Sequence, residues 1–132
     1  MADRSHVPSP TDAELEVLRV LWDRGPSTVR EVHDGVSSDK DVGYTTVLKQ
    51  MQVMHRKGLV KRSERFRSHV YEASQPQSQV QRGLAQSLLK QAFGGSAASL
   101  VQSALGGRKV SAEELAEIRE VLEKFGGRSG AC

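Results

Sequence analysis

Apolar residues recur with a helical period in six stretches of the chain, and the polar and glycine residues between them mark where each helix starts and stops. Thr11 opens the first. It can cap a helix whose third residue, Glu14, completes a capping box, and Leu15, Leu18 and Trp22 follow at i, i+3 and i+7 with Leu21 alongside. Gly25-Pro26 ends that helix. Thr28 and Glu31 repeat the capping box, and Val29, Val32 and Val36 supply the apolar face of a helix of about two turns. Ser37 to Gly43 is a polar loop. A third helix is predicted from Tyr44 to Lys57, with Val47, Met51 and Met54 on one face and Thr45, Lys49, Gln52 and Arg56 on the opposite one. Gly58 is placed to stop it in a left-handed conformation.

The period then shortens from helix to strand. Leu59 to Ser63 and Ser68 to Ala73 read as two strands, the second with β-prone Val70 and Tyr71, joined by the tip Glu64-Arg65-Phe66-Arg67. That tip lacks the glycine or Asn-Gly that identifies a turn type. Three helices followed by a strand, a wing and a strand form a winged helix-turn-helix, in which the second helix of the motif enters the DNA major groove. The fold class expected is therefore mainly α: an N-terminal winged helix-turn-helix followed by a C-terminal helical dimerisation domain.

Pro76 marks the boundary between them. Residues 77–93 form a long helix with Val80, Leu84, Leu88 and Ala92 on one side, widened by Ala85, Leu89 and Phe93. Gly94-Gly95 and Gly106-Gly107 bracket a short apolar helix from Ala97 to Leu105 that includes Leu100. Ser111 and Glu114 make a third capping box, and the last helix carries Leu115, Ile118, Leu122 and Phe125 at i, i+3, i+7 and i+10. The chain is thus expected to comprise a flexible arm (1–10), a winged-helix DNA-binding domain (11–75), a helical dimerisation domain (76–125) and a flexible tail (126–132). The C-terminal helices have broad apolar faces and little partner mass within the chain, so burial between two chains of a homodimer is the expected solution, against packing back onto the winged domain. A length of 132 residues points the same way, because two separate cores this small are each marginal.

Charge sharpens the picture through its distribution. The net charge is only +3, but residues 44–72 carry 7 basic against 2 acidic residues, whereas residues 1–43 carry 5 basic against 9 acidic. A short basic segment coinciding with the third helix and the wing is an electrostatic footprint for a polyanion, most simply double-stranded DNA. Three elements of it bear on recognition. The third helix offers Tyr44, Thr45, Thr46, Lys49, Gln52 and Arg56, with the two threonines in the first turn where base edges are met. The start of the second helix offers Ser27 and Thr28 with free N–H groups suited to a phosphate oxygen. The wing offers Lys61, Arg62, Arg65 and Arg67.

Other chemistries find little footing. His6, His33, His55 and His69 form no HExxH pattern, there is no CxxC, and no glycine-rich phosphate loop follows a strand, so neither catalysis, a metal nor a cofactor is expected. Cys132, the single cysteine, cannot make an internal disulfide; an intermolecular bridge or redox sensing stands against an incidental tail residue. No apolar run approaches a membrane span and no signal-peptide core precedes the first helix, so a cytoplasmic location without membrane insertion is expected. Trp22 reads as core. A winged helix serving as a protein-interaction module, and a ligand-sensing regulator with an effector pocket between its domains, are the alternatives of other classes.

With these residues in view, the chain resembles the penicillinase-repressor family of bacterial regulators, the BlaI/MecI type. The resemblance is carried by Thr11-Asp12-Ala13-Glu14-Leu15-Glu16-Val17-Leu18 through Leu21-Trp22, by Thr28-Val29-Arg30-Glu31-Val32, and above all by Gly43-Tyr44-Thr45-Thr46-Val47 running into Arg56-Lys57-Gly58-Leu59-Val60. It is specific up to about residue 75 and continues as a helix pattern to about residue 125. It implies a homodimer on an inverted-repeat (palindromic) operator, with Thr45 and Thr46 near bases and dimerisation through residues 77–125. It also implies relief of repression by cleavage in the dimerisation domain under a membrane metalloprotease sensor pathway. The family's cleaved bond is Asn-Phe; here the corresponding position is Ser103-Ala104. A copper-responsive branch carries C-terminal Cys-x-Cys pairs, which this chain, with Cys132 alone, lacks.

Overall fold

The computed structural model describes residues 9–37, 41–65 and 67–130, the last four through their backbone alone. Most of the N-terminal arm, Phe66 at the wing tip and Cys132 lie outside the described residues. The elements are α1 (Asp12–Arg24), α2 (Val29–Val36), α3 (Tyr44–Lys57), β1 (Val60–Arg65), β2 (Ser68–Ala73), α4 (Gln77–Phe93), α5 (Ala97–Gly106) and α6 (Ala112–Gly130). By contact density the chain divides into two compact units, Met1–Ala85 and Gln86–Cys132, with α4 running through the division.

The first unit is a winged helix-turn-helix. Both of its predicted capping boxes are formed. Thr11 Oγ1 accepts from the Glu14 N–H at 3.1 Å and Glu14 Oε1 accepts from the Thr11 N–H at 2.9 Å. Thr28 and Glu31 repeat the pair at 3.2 and 2.9 Å. Each box satisfies two N–H groups that a helix start leaves without intrahelical partners. At the end of α3, Gly58 adopts φ 87° and ψ 10°, its N–H reaches the His55 carbonyl, and the Leu59 N–H returns to the Met54 carbonyl at 2.9 Å. This Schellman motif reverses the chain directly into β1.

The core is Val17, Leu18 and Leu21 of α1, Val29 and Val32 of α2, Val47, Met51 and Met54 of α3, and Leu59, Val60 and Tyr71 at the hairpin base. The buried stripe of α1 is rotated from the predicted one. It runs Glu14, Val17, Leu18, Leu21, while Leu15 and Trp22 are half-buried at its margin. A carboxylate can occupy that stripe because Lys57 Nζ, from the last turn of α3, meets Glu14 Oε2 at 2.8 Å. Burial pushes the Glu14 carboxyl up, but the Lys57 ammonium and the Thr11 N–H and hydroxyl together hold it below the usual carboxylate range. Trp22 donates its indole N–H to the Gln75 carbonyl at 3.0 Å and so ties the chain just after β2 to α1.

The hairpin is antiparallel in the register Val60↔Ala73 to Arg65↔Ser68. Its strands reach further than the β-prone residues suggest, because β1 continues through Glu64 and Arg65, and only residues 66 and 67 remain between the strands. Arg67 takes φ 69°, the left-handed conformation that a turn this tight requires and for which no glycine is provided. Ser27 adds a one-residue third strand: its N–H donates to the Tyr71 carbonyl at 2.9 Å and its carbonyl accepts from the Tyr71 N–H at 2.8 Å.

In the second unit Ser96 caps α5 by accepting the Ser99 N–H at 3.1 Å. The third predicted capping box is half made. Ser111 Oγ accepts the Glu114 N–H at 3.0 Å, but the Glu114 carboxylate pairs with Arg108 at 2.8 Å, a charged partner competing with a backbone N–H. Helix α6 extends to Gly130, past the Gly126 at which a loose tail was expected to begin; Gly126 takes no left-handed turn, and glycine permits a helix stop without enforcing one.

Candidate nucleic-acid interface

The two faces of α3 are sharply divided. Val47, Met51 and Met54 are completely buried, whereas Tyr44, Thr45, Thr46, Lys49, Gln52 and Arg56 stand in solvent. A helix anchored by one apolar stripe presents its opposite stripe rigidly, and here that stripe is made of hydroxyls, an amide and two cations. The last turn of α3 is basic throughout, but its three residues differ in availability. Lys57 is bound to Glu14, His55 is half-buried, and Arg56 is exposed.

The wing supplies Lys61, Arg62, Arg65 and Arg67, all exposed. Glu64, the one acidic residue of β1, lies opposite His69, with 3.8 Å between its carboxylate and the imidazole. At the start of α2 the arrangement differs from expectation. Thr28 is half-buried, and its N–H and that of Glu31 are both taken up by the capping box. The Glu31 carboxylate therefore stands where an anion was expected, and the helix start is a weaker phosphate site than its sequence suggests.

These elements meet at a cleft of about 320 Å³. Thr28 and Arg30 contribute from α2 and its cap, Tyr44 and Gln52 from α3, and Arg62 and His69 from the wing, over an apolar floor that includes Val29 and Leu48. Among the described residues no carboxylate lines it. The cleft thus gathers Thr28, Tyr44 and Gln52 of the predicted set, while Thr45, Thr46, Lys49, Arg56, Arg65 and Arg67 lie outside its lining. Arg30 was not singled out from the sequence. Its guanidinium lies 4.9 Å from the centre of the Tyr44 ring, and its position two residues after the Thr28 cap was the available signal. His33 approaches the same ring edge-on, with 6.0 Å between centroids.

The residues singled out for dimerisation are little covered. Leu88, Leu115, Leu122 and Phe125 are 48%, 37%, 61% and 58% exposed, and Val80, Leu84, Leu100 and Ile118 are half-buried. Val101 and Val121, which the spacing did not select, are also exposed. Neither α4 nor α5 has a buried residue. Ser103 and Ala104 are exposed within α5. Among the described residues no group of three metal-ligating side chains comes together, and no helix is long and apolar enough to cross a membrane.

A protein-family model described as penicillinase repressor matches residues 10–124. The chain is 33% identical over 120 residues to the transcriptional regulator BlaI of Mycobacterium tuberculosis, covering 90% of this chain and 86% of that protein. It is 26% identical over 122 residues to the penicillinase repressor of Bacillus licheniformis, covering 92% and 95%. Among solved structures it is similar to Bordetella bronchiseptica BpsR, studied for regulation of its DNA binding by 6-hydroxynicotinic acid, with a TM-score of 0.47, 21% identity and coverage of 89% of this chain and 76% of that one. From its helix caps through its wing to its last helix, the chain belongs to the penicillinase-repressor family, a family of transcriptional repressors and not of enzymes.

Proposed function

We propose that this repressor binds an inverted-repeat operator as a homodimer and blocks transcription there, each protomer placing α3 in the major groove and its wing against the flanking backbone. Thr45 and Thr46 meet base edges, Tyr44, Lys49 and Gln52 act at the groove, and Arg56, Arg65 and Arg67 take phosphates, while Thr28, already engaged with Glu31, borders the contact as a minor partner. The observation that carries this reading is the meeting of Tyr44 and Gln52 of α3 with Arg62 of the wing at a cleft that no described carboxylate lines. A winged helix used only for protein contacts has no need of that charge arrangement. The dimer is supported by the exposure of Leu88, Leu115, Leu122 and Phe125, which leaves apolar surface that a second copy can cover.

The protein acts on DNA in the cytoplasm in this reading. Relief of repression through a membrane metalloprotease pathway is assigned to the Ser103–Ala104 region. Both residues are held in helical backbone, so α5 must open locally before a protease can take the segment as an extended strand. The test of the main proposal is binding of the full chain to its own promoter and to a shuffled duplex at two salt concentrations. Tight, salt-dependent preference for the promoter is expected; equal or absent binding to both overturns the proposal.

A further inference from the structure

Arg30 is exposed on α2 and lines the cleft. Its guanidinium rests 4.9 Å from the Tyr44 ring centre, inside the range of roughly 6 Å where the ring quadrupole attracts a cation. The ring is itself held. His33 meets it edge-on at 6.0 Å, and His33 Nε2 lies 2.8 Å from the Val42 carbonyl, two residues ahead of the start of α3. Arg30 and Tyr44 therefore come from two helices whose relative placement is fixed by a side chain of α2 gripping the backbone that leads into α3. An arginine placed in advance loses less side-chain freedom when it binds.

Arg62 reaches the same cleft from β1. Two guanidinium groups share a concave site whose described lining holds no carboxylate, the nearby Glu31 carboxylate being engaged in capping the start of α2. A phosphate, whose non-bridging oxygens can accept paired N–H bonds from the planar guanidinium, is the group such a site suits.

We infer that Arg30, together with Arg62, binds a backbone phosphate of the duplex at this cleft, and that Tyr44 is the positioning residue that holds the Arg30 guanidinium in place. The inference rests on the DNA-binding reading above and adds to it Arg30, which neither charge clustering nor helix spacing selects.

The experiment is a titration of promoter and shuffled duplexes with the full chain across 50–200 mM salt, using Arg30→Ala, Arg30→Gln, Tyr44→Phe, Tyr44→Leu and the pair Arg30→Ala/Tyr44→Leu. Arg19→Ala, which removes the same charge from an exposed position of α1, is the reference. Loss of one phosphate contact lowers the slope of log affinity against log salt by about 0.9, so the advantage of the wild type over Arg30→Ala shrinks about 3.5-fold over that range. Preference for promoter over shuffled duplex stays as in the wild type, because a phosphate contact carries no sequence information. Tyr44→Phe keeps the ring, so it retains more of the salt slope than Tyr44→Leu does. Tyr44→Leu loses most of what Arg30→Ala loses, and the pair loses no more than Arg30→Ala alone. Arg30→Gln, an exposed change that keeps helix propensity, gives the Arg30→Ala slope and guards against a folding artefact. An Arg30→Ala slope equal to that of Arg19→Ala overturns the inference while leaving DNA binding intact, as does full additivity of the Arg30 and Tyr44 changes. Failure of the wild type to prefer its promoter overturns the parent reading, and this one with it.

Discussion

Replacing Lys57 with methionine should cost more than an exposed lysine normally does, and the cost should depend on pH. Lys57 Nζ lies 2.8 Å from a Glu14 carboxylate whose side chain is only 5% exposed, and the pair joins the start of α1 to the end of α3. Removing one partner of a fully buried ion pair costs about 3–5 kcal/mol. Lys57 itself is 32% exposed, and Glu14 keeps the Thr11 N–H, so the expected loss is smaller, about 2 kcal/mol. For a unit of this size that lowers the melting temperature by on the order of 8–16 °C.

The sign of the pH dependence follows from the carboxyl. In the wild type its folded pKa is depressed, so the stability it contributes is fully present above the unfolded value of about 4.3 and is lost as pH falls through the folded pKa. Without Lys57, burial dominates and the pKa rises, so the variant is penalised as pH climbs through the unfolded value toward the raised one. The stability gap between wild type and variant should therefore be widest near neutral pH and close as Glu14 becomes protonated in both. Urea denaturation followed by circular dichroism from pH 4 to 7.5 measures it. A gap that is the same at both ends would refute the electrostatic account and assign the loss to the packing of the lysine stem.

Three further outcomes are expected. Arg67→Gly relieves a left-handed backbone worth about 1–2 kcal/mol but adds freedom to the unfolded chain, for a net gain near 0.5 kcal/mol, while the salt slope of DNA binding falls by about 0.9; denaturation and DNA titration read the two effects separately. Thr45→Val keeps the methyl and removes the hydroxyl, and should weaken discrimination at one operator base pair by about 1–3 kcal/mol with the salt slope unchanged, as measured on single-substituted duplexes. Leu122→Lys with Phe125→Lys places charge on the most exposed apolar part of α6 and should yield monomers in sedimentation and a loss of about 10²–10⁴ in operator affinity, whereas a dimer that survives the pair would remove α6 from the interface.

Much of the fold was legible because its signals are local. Thr11 with Glu14 and Thr28 with Glu31 are backbone chemistry within four residues, and the split of α3 into a Val47-Met51-Met54 face and a polar face follows from helix geometry alone. The same periodicity placed α4 at residues 77–93, and the quoted motifs were enough to identify the family. What escaped the sequence depends on partners far along the chain. The buried stripe of α1 includes Glu14 and not Leu15 because Lys57 comes to meet it, and an isolated helix offers no hint that a carboxylate can be the inward residue. Arg30 looks like any surface charge until Tyr44 is brought beneath it.

Period, caps and local charge are enough to specify the winged helix-turn-helix, most of its element boundaries, and the basic segment that marks α3 and the wing. Long-range packing selects which polar groups are used up inside the protein and which are left to act. It turned Lys57 inward and kept Arg56 outside, closed the start of α2 with the Glu31 carboxylate, added Ser27 to the sheet, and gathered Arg30 and Arg62 at one cleft. The physical reason is that a helical or strand period assigns a residue to a face, whereas its partners are chosen only when distant segments pack and desolvation makes an unpaired polar group costly.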